Sequence, residues 1–288
     1  MRDTNILVKI REMKDSMTPM ERRVAEDILE NPNDVPNMSI KMLANRSKTS
    51  EASIMRFCKT IGSTGYRDFI VNITSSLAIS NDEQDEEKAF TDILPGDELP
   101  LIIQKIAKYN EQSIKDTISV LDENEVTKAV KSLKNARRIC FFGIGASSLV
   151  CTDAMQKFMR INMECFTWVD SHQQLAMATL LTKDDVAVLV SNSGNTLEIL
   201  DILDIAKKQK ATVISITRYS KSVLAEKSDI VLSIATPEIT IRSGAMGSRI
   251  AMLTIVDILF SCVASADYNK IRKYLKSTRD IITERKKR

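Results

Sequence analysis

The sequence predicts a chain of two domains: an all-α N-terminal domain with a helix-turn-helix, and an α/β domain with a five-stranded parallel sheet flanked by helices. Residues 1–77 carry apolar residues at helical spacing and no strand pattern. Residues 78–100 contain the acidic run NDEQDEEK and then prolines and a glycine, which is typical of a linker. Within 101–288, short apolar runs alternate with helical segments from residue 136 onward, which indicates a parallel sheet with helical crossovers.

The composition is that of a globular protein. With 43% hydrophobic and 27% charged residues, the 288-residue chain can bury a core in each domain. The net charge is only +3, so a nucleic-acid site would have to be local. The five cysteines form no CxxC pair and His172 is the single histidine, so we expect free thiols, no metal and no cofactor. The start of the chain has no signal pattern and Asp257 interrupts the longest apolar segment, so we expect a cytoplasmic protein with no membrane partner.

Caps and breakers mark the helices of the N-terminal domain. Thr18-Pro19-Met20-Glu21 combines a hydroxyl cap, a proline in the first turn and a glutamate at the third position. Asn31-Pro32 ends that helix. Ser39 is the expected cap of a short helix at 40–45. Ser50 is expected to begin a second helix that runs to about Ile61, and a further helix is expected at 66–77.

A short helix, a tight turn and a second helix form the layout of a helix-turn-helix. Ala44 falls where the two helices would touch, and Ile54 falls where the second would enter the core. The outward face of the second helix could then read the major groove of DNA. Spacing alone also fits a helical dimerisation or capping domain, and Lys48 stands in the turn where glycine is commoner. The candidate DNA-binding residues are Lys48, Ser50, Glu51, Ser53, Arg56 and Lys59.

The α/β pattern follows two helices expected at 101–121 and 123–133. The expected strands are 138–142, 165–169, 186–190, 212–216 and 230–234. The expected helices after the first strand are 147–161, 173–181, 197–208, 222–225 and 245–264. Ligands of such sheets bind beyond the carboxyl ends of the strands, so the turns at that edge are the candidate site.

Two of those turns are rich in hydroxyls. GIGASS, residues 143–148, follows the first strand, and SNSGNT, residues 191–196, follows the third. Ser191, Ser193 and Thr196, together with the start of the next helix, favour a bound dianion such as a sugar phosphate. A single such turn could be a plain helix cap, but two in one sheet favour the phosphate site. The first turn lacks the third glycine of GxGxxG, and no GK[ST] sequence is present.

GIGASS, DSHQQ, SNSGNTLE, ISITRYSKSVLAEKSDIVL and RSGAMGSRIAMLTIVDILF together resemble a sugar isomerase (SIS) phosphosugar-binding domain. MSIKMLANRSKTSEASIMRFCKTIGSTGYRDF resembles the helix-turn-helix of the RpiR family of bacterial transcriptional regulators. The two resemblances cover nearly the whole chain, in the order that this family has.

The resemblance implies a regulator, not an enzyme, that binds double-stranded operator DNA and senses a sugar phosphate as a homodimer or homotetramer. Repression, here of sugar or amino-sugar catabolism, is the commoner outcome in the family. Family analogy also weakly favours an amino-sugar 6-phosphate such as N-acetylmuramic acid 6-phosphate over glucosamine or pentose phosphates. Ser147 or Ser148 would bind through the first turn, and Glu238, with Arg242 and Ser243, would complete the sugar pocket. For Arg242 and Arg249 an ion pair at a helix end or a dimer interface is an equal alternative.

The resemblance also leaves an enzyme open, because SIS domains occur in aldose–ketose isomerases and in amino-sugar phosphate enzymes. Isomerisation requires a base that moves a proton alpha to a carbonyl. His172 and Glu198 are the candidates, with Glu238 third, although a carboxylate in the first turn of a helix is favoured there in any protein. The attached helix-turn-helix favours the sensor over the isomerase.

Overall fold

The computed structural model describes residues 5–80, 93, 96–237 and 245–285. Its contacts divide the chain into two compact units. The N-terminal unit is Met1–Val120 with the short segments Tyr219–Lys221 and Ala235–Arg242, and the sheet unit is Leu121–Arg218, Ser222–Ile234 and Ser243–Arg288. Each unit has an apolar core of its own. The linker predicted at 78–100 stays a prediction, because most of it lies outside the described residues.

The N-terminal unit is helical, as its caps and apolar spacing predict. Thr18 and Glu21 form a capping box in which the Thr18 N–H donates to Glu21 Oε2 at 3.1 Å. Phe57 and Phe69 meet edge to face in the core, with 5.9 Å between the ring centroids. The helices are α1 Ile6–Met13, α2 Pro19–Glu30, α3 Ile40–Arg46, α4 Glu51–Thr60, α5 Tyr66–Ser80 and α6 Leu99–Val120, with 3-10 turns at Lys14–Ser16 and Pro32–Asn37.

The helix-turn-helix consists of α3 and α4. Ser39 caps α3 through the Met42 N–H, and Ser50 caps α4 through the Ser53 N–H. Ala44 is 3% exposed and Ile54 is fully buried. The small residue and the core residue therefore lie at the buried positions that the sequence predicts for a helix-turn-helix.

A buried ionic cluster joins α1 to α6 within the N-terminal unit. The Arg11 guanidinium bonds to Glu12 and Asp116, whose side chains are almost fully buried. Burial alone would lower the pKa of Arg11, but the attraction of the two carboxylates outweighs it and the pKa is raised. Removing one partner from such a cluster leaves an uncompensated buried charge, so the cluster fixes how α1 packs on α6.

The sheet unit contains five parallel strands in the order β2-β1-β3-β4-β5. Its strands are β1 Arg138–Gly143, β2 Cys165–Thr167, β3 Asp185–Val190, β4 Thr212–Arg218 and β5 Ile230–Ile234. Its helices are α7 Glu123–Asn135, α8 Ala146–Met159, α9 Ser171–Ala178, α10 Leu197–Lys208, α11 Val223–Lys227, α12 Met246–Ser265 and α13 Tyr268–Arg285. The second strand was expected to continue to Val169, which is wrong: the ladder with β1 ends at Thr167.

Helices cover both faces of the sheet. One core packs α7, α8, α12 and the start of α13 against one face, and a second core packs α9, α10 and α11 against the other. Among the described helices, α12 alone has the length and the mean hydropathy, 1.6, of a membrane span. Its buried residues, among them Ala251, Ile255 and Leu259, belong to the first core. A core helix of an α/β domain accounts for that composition.

Asp185 anchors the amino end of the sheet, opposite to the candidate site. Its carboxylate accepts hydrogen bonds from Arg137 at 2.8 Å and Arg138 at 3.2 Å, and from the Thr182 N–H at 2.8 Å. Burial alone would raise the pKa of Asp185, but these hydrogen bonds outweigh it and hold the pKa below its usual range.

Four of the cysteines are buried free thiols and Cys262 is half-buried, so the expectation of free thiols is confirmed.

Candidate functional site

The two hydroxyl-rich turns follow neighbouring strands at the carboxyl edge of the sheet. The last residues of β1 and β3, Gly143 and Val190, are register partners. From β1 the chain crosses to β2 on one side, and from β3 it continues to β4 and β5 on the other. The strand order therefore reverses between β1 and β3, which is the crevice where open α/β sheets bind their ligands.

The hydroxyls of the second turn converge on one another. Ser191 is 3% exposed, and its Oγ accepts the Gly194 N–H at 3.2 Å. The Thr196 hydroxyl lies 3.1 Å from Ser191 Oγ and 3.4 Å from Ser193 Oγ. Ser193 is exposed. The three hydroxyls predicted from the sequence therefore lie close together in the structure, and that of Ser193 is exposed to solvent.

The backbone of this turn is tied to the end of β4. The Ser191 N–H donates to Ile216 O at 3.1 Å, and the Arg218 N–H donates to Asn192 O at 3.2 Å. Gly194 has φ +63°, in the left-handed region. A methyl group at Gly194 would lie 2.2 Å from Ser222 Oγ, so only glycine fits there without a shift.

Thr217, on β4, is a further polar residue that sequence reasoning missed. Its side chain is fully buried, and Thr217 Oγ1 has no hydrogen-bond partner in the described part of the chain. That oxygen lies 2.9 Å from where a methyl group at Gly194 would be. Leaving a buried hydroxyl unpaired costs about 1–3 kcal/mol, so this turn carries hydrogen-bonding capacity that the protein alone does not use.

The helices after both turns begin without a side-chain cap. Neither Gly145 before α8 nor Thr196 before α10 makes a capping bond, whereas Asp170 caps α9 through the Gln173 N–H. Neither turn contains lysine or arginine. An anion at this edge would therefore be held by hydroxyls, backbone N–H groups and the positive ends of two helices.

The first turn contains two serines, and they differ in whether the hydroxyl is already hydrogen-bonded within the protein. Gly145 has φ +60°, and Ser148 Oγ donates to its carbonyl oxygen at 2.7 Å. Ser147 is half-buried, and its hydroxyl bonds to no atom of the described residues. Ser147 is therefore the more available of the two hydroxyls. The fully buried Gln174, on α9, hydrogen-bonds the backbone of Gly143 at the start of this turn and is a second residue that sequence reasoning missed.

The other candidate residues are exposed or lie outside the described part of the chain. His172 and Glu198 are exposed, in the first turns of α9 and α10. Glu238, Arg242 and Ser243 lie outside the described residues, so their assignment to the sugar pocket stays a prediction. No group of three or more histidine, cysteine, aspartate or glutamate side chains within the described ranges could hold a metal ion.

The candidate DNA-reading helix, α4, presents a polar face to solvent. Five of the six predicted DNA-binding residues are exposed: Lys48, Ser50, Glu51, Arg56 and Lys59. The outward placement of Ser53 is wrong. Ser53 is 4% exposed, its Oγ lies 3.0 Å from Ser50 Oγ, and it accepts a 3.2 Å hydrogen bond from Arg56. Ser53 can therefore hold Arg56 in place, but it does not present its hydroxyl to a groove.

The turn between α3 and α4 has the geometry of a tight helix-turn-helix connection. Lys48 has φ +52°, in the left-handed region where glycine is commoner. The Thr49 N–H donates to Ala44 O at 2.9 Å and closes the turn. The lysine at this position therefore leaves the turn intact, at the cost of a strained backbone conformation.

Comparison with known proteins identifies a domain family in the N-terminal part of the chain and another in the part that contains the sheet. Residues 4–80 match the helix-turn-helix domain of the rpiR family, and residues 132–262 match the SIS domain. An uncharacterised HTH-type transcriptional regulator of Caldanaerobacter subterraneus is 46% identical over 98% of this chain and 99% of its own length. The structure of the Vibrio vulnificus NanR protein complexed with ManNAc-6P is 28% identical, covers 97% of this chain and 98% of its own, and has a TM-score of 0.60.

The fold and the two matched domains define a helix-turn-helix transcriptional regulator with a SIS domain. The chain belongs to the RpiR family. The Bifunctional protein glk of Burkholderia thailandensis is also similar, with 34% identity over 90% of this chain, which spans 40% of that protein's length.

Proposed function

We propose that this regulator binds a sugar phosphate at the edge between β1 and β3 and thereby controls how α4 binds operator DNA. The observation that carries the proposal is the pair of hydroxyl-rich turns on adjacent strands, each leading into a helix that no side chain caps. The phosphate would accept hydrogen bonds from Ser191, Ser193 and Thr196, with Ser147 or Ser148 across the crevice. Ligand binding would shift operator affinity through a coupling free energy of about 1–3 kcal/mol.

An amino-sugar 6-phosphate is the ligand class that we favour. The NanR relative was solved with ManNAc-6P, and its sequence aligns with nearly the whole of this chain. We further propose that the protein represses genes of sugar or amino-sugar catabolism in the cytoplasm. It would do so as a homodimer or homotetramer, with two copies of α4 on half-sites about one helical turn of DNA apart, or a multiple of that.

A thermal-shift screen of sugar phosphates tests the ligand half of this proposal. A ligand bound only by the folded protein raises the melting temperature, so we expect N-acetylmannosamine 6-phosphate or N-acetylmuramic acid 6-phosphate to raise it and the unphosphorylated sugars not to. The Ser193→Ala variant, which changes an exposed side chain, should lose most of this shift and keep the melting temperature of the free protein. Ser277→Ala, on α13, is the matched control and should respond like the wild type.

Two results would contradict the proposal. The first is a wild-type protein that no sugar phosphate stabilises. The second is turnover of the sugar phosphate by the pure protein, measured by product formation, which would favour the enzyme instead. His172 or Glu198 would then have to act as the base.

A glycine in place of Lys48 is expected to separate backbone strain from DNA binding. Lys48→Gly should leave the free energy of unfolding unchanged or raise it by up to about 1 kcal/mol, because glycine adopts positive φ freely but is also more flexible when unfolded. Operator affinity should fall severalfold, because an exposed charge beside α4 is lost. Lys210→Gly is the matched control: Lys210 has φ +62° and is exposed in the sheet unit. It should match the stability change and leave operator affinity intact, and equal effects of both variants on DNA binding would count against a contact by Lys48.

A further inference from the structure

Gln174 has three hydrogen bonds and no exposed surface. Its Oε1 accepts the Gly143 N–H at 3.1 Å, and its Nε2 donates to Gly143 O at 3.0 Å and to Trp168 O at 2.8 Å. The side chain is 0% exposed. The carboxamide therefore uses both of its N–H groups and its oxygen on backbone, and it has little left to offer a ligand directly.

The Gln174 side chain hydrogen-bonds to the end of β1 at a position where β2 no longer pairs with it. In a parallel ladder, every second residue points both its N–H and its C=O toward the same neighbouring strand. The Ile139 N–H donates to Glu164 O, on the β2 side, so Phe141 and Gly143 point the same way. The register pairs Phe141 with Thr167, where β2 ends. Gly143 thus extends past its strand partner, and the Gln174 carboxamide pairs with it as a peptide group would.

The same amide group holds the chain that leaves β2. Trp168, whose carbonyl oxygen accepts the third hydrogen bond, stacks on Phe166 with 5.9 Å between ring centroids and lies 6.4 Å from the Phe142 ring. Gln174 therefore connects three things: the end of β1, the end of β2 and the body of α9. Gly143 is also the first residue of the turn that leads to Ser147 and Ser148.

We propose that Gln174 is a positioning residue for the sugar-phosphate site: it fixes the direction in which the chain leaves β1, and so places the first turn opposite the SNSGNT turn. The inference rests on the proposed function, since it concerns the same site. It assigns to α9 a part in ligand affinity although Gln174 does not touch the ligand. Because Gln174 and Gly143 are joined by two hydrogen bonds, a ligand that shifts the first turn would also shift α9.

The test depends on the two hydrogen bonds that Gln174 Nε2 donates, to Gly143 O and to Trp168 O. Gln174→Glu keeps the size of the side chain, but an ionised carboxylate can donate to neither Gly143 O nor Trp168 O, whereas a protonated carboxyl can donate to one of them. Burial should raise the pKa of the introduced carboxyl. Gln174→Met keeps the length and removes all three hydrogen bonds at every pH. Gln173→Glu makes the same chemical change at the exposed neighbouring position and is the matched control.

Binding of N-acetylmannosamine 6-phosphate by the full chain would be measured calorimetrically from about pH 5.5 to about pH 8, below the melting temperature of each variant. Relative to wild type, we expect Gln174→Glu to bind about tenfold or more weakly at the upper pH and within about threefold at the lower. Gln174→Met should be weak throughout, and Gln173→Glu should follow the wild type. Operator binding without ligand should be unchanged in all three.

The outcomes separate this inference from the function on which it rests. If the wild type binds the probe and Gln174→Met binds it equally well, or if Gln174→Glu differs from wild type by the same factor at every pH, the inference is wrong. A variant with a lower melting temperature but unchanged affinity while folded would give Gln174 a purely structural role and would also overturn it. If neither this probe nor inorganic phosphate binds to the wild type, the proposed site fails, and the inference fails with it.

Discussion

The Gly194→Ala variant is expected to lose the response to sugar phosphate and about 3 kcal/mol of folding free energy. An alanine at φ +63° has a strained backbone. Its methyl group would also lie 2.2 Å from Ser222 Oγ, 2.6 Å from Ser222 Cβ and 2.9 Å from Thr217 Oγ1. Because Ser222 Oγ also caps α11 through the Ala225 N–H, it cannot move without weakening that helix. The turn would therefore have to shift, and its hydroxyls would no longer converge.

Gly62→Ala is the control that separates backbone strain from steric overlap. Gly62, after the end of α4, has φ +88°, but a methyl group there would meet no atom within 4 Å. Its loss of stability in chemical denaturation should be about 1–2 kcal/mol, from strain alone. Equal losses for the two variants, or a Gly194→Ala protein with the wild-type ligand response, would show that the turn is less tightly packed than the structure indicates.

The Arg56→Ala variant is expected to weaken operator binding about tenfold to a hundredfold and to leave sugar-phosphate affinity unchanged. Arg56 is exposed on α4, and its hydrogen bond to the buried Ser53 holds the guanidinium on the helix surface. An arginine fixed in this way loses less side-chain entropy when it binds a base or a phosphate. If the contact is to phosphate, the slope of log affinity against log salt should fall by about one.

Arg160→Ala provides the matched control for that experiment. Arg160 is an exposed arginine at the end of α8, in the sheet unit. Its removal changes the net charge by the same amount and should change operator affinity much less. Titrations of both variants with labelled operator over a range of salt would decide the matter, and indistinguishable curves would show that Arg56 contributes only general charge.

Local sequence signals predicted much of the fold. Ser39 and Ser50 are caps because a hydroxyl before an apolar periodic run satisfies the first N–H groups of a helix, and both act so in the structure. The last strand has the predicted bounds, Ile230–Ile234, because short apolar runs between polar turns are distinctive. The hydroxyls of residues 191–196 were recognisable for a similar reason: a strand, a turn and a helix follow one another directly in the chain.

Features that depend on side-chain contacts or strand register, which helical or strand spacing does not encode, were not predictable. Ser53 looked like a surface residue by helical spacing, but its burial depends on its hydrogen bonds with Ser50 and Arg56. The role of Gln174 depends on β2 ending before β1, which is a matter of register between strands far apart in sequence. Thr217 reads as an ordinary strand residue, and only the close approach of Gly194 shows that its hydroxyl faces the turn.

A fragment made to bind the metabolite without the DNA-binding helices depends on where the chain is cut, because two short segments from the later part of the sequence belong to the N-terminal unit. Tyr219 and Ala235 are separated in sequence from the N-terminal helices, yet they cluster with Val8 and Val120, and the Thr117 hydroxyl donates to Ala235 O at 2.9 Å. A fragment trimmed to start at Leu121 would expose an aromatic ring and leave that carbonyl without its donor. Such a truncation should precipitate or bind weakly for reasons unrelated to its ligand chemistry, whereas one that retains α6 would keep Val120 and Thr117 in place.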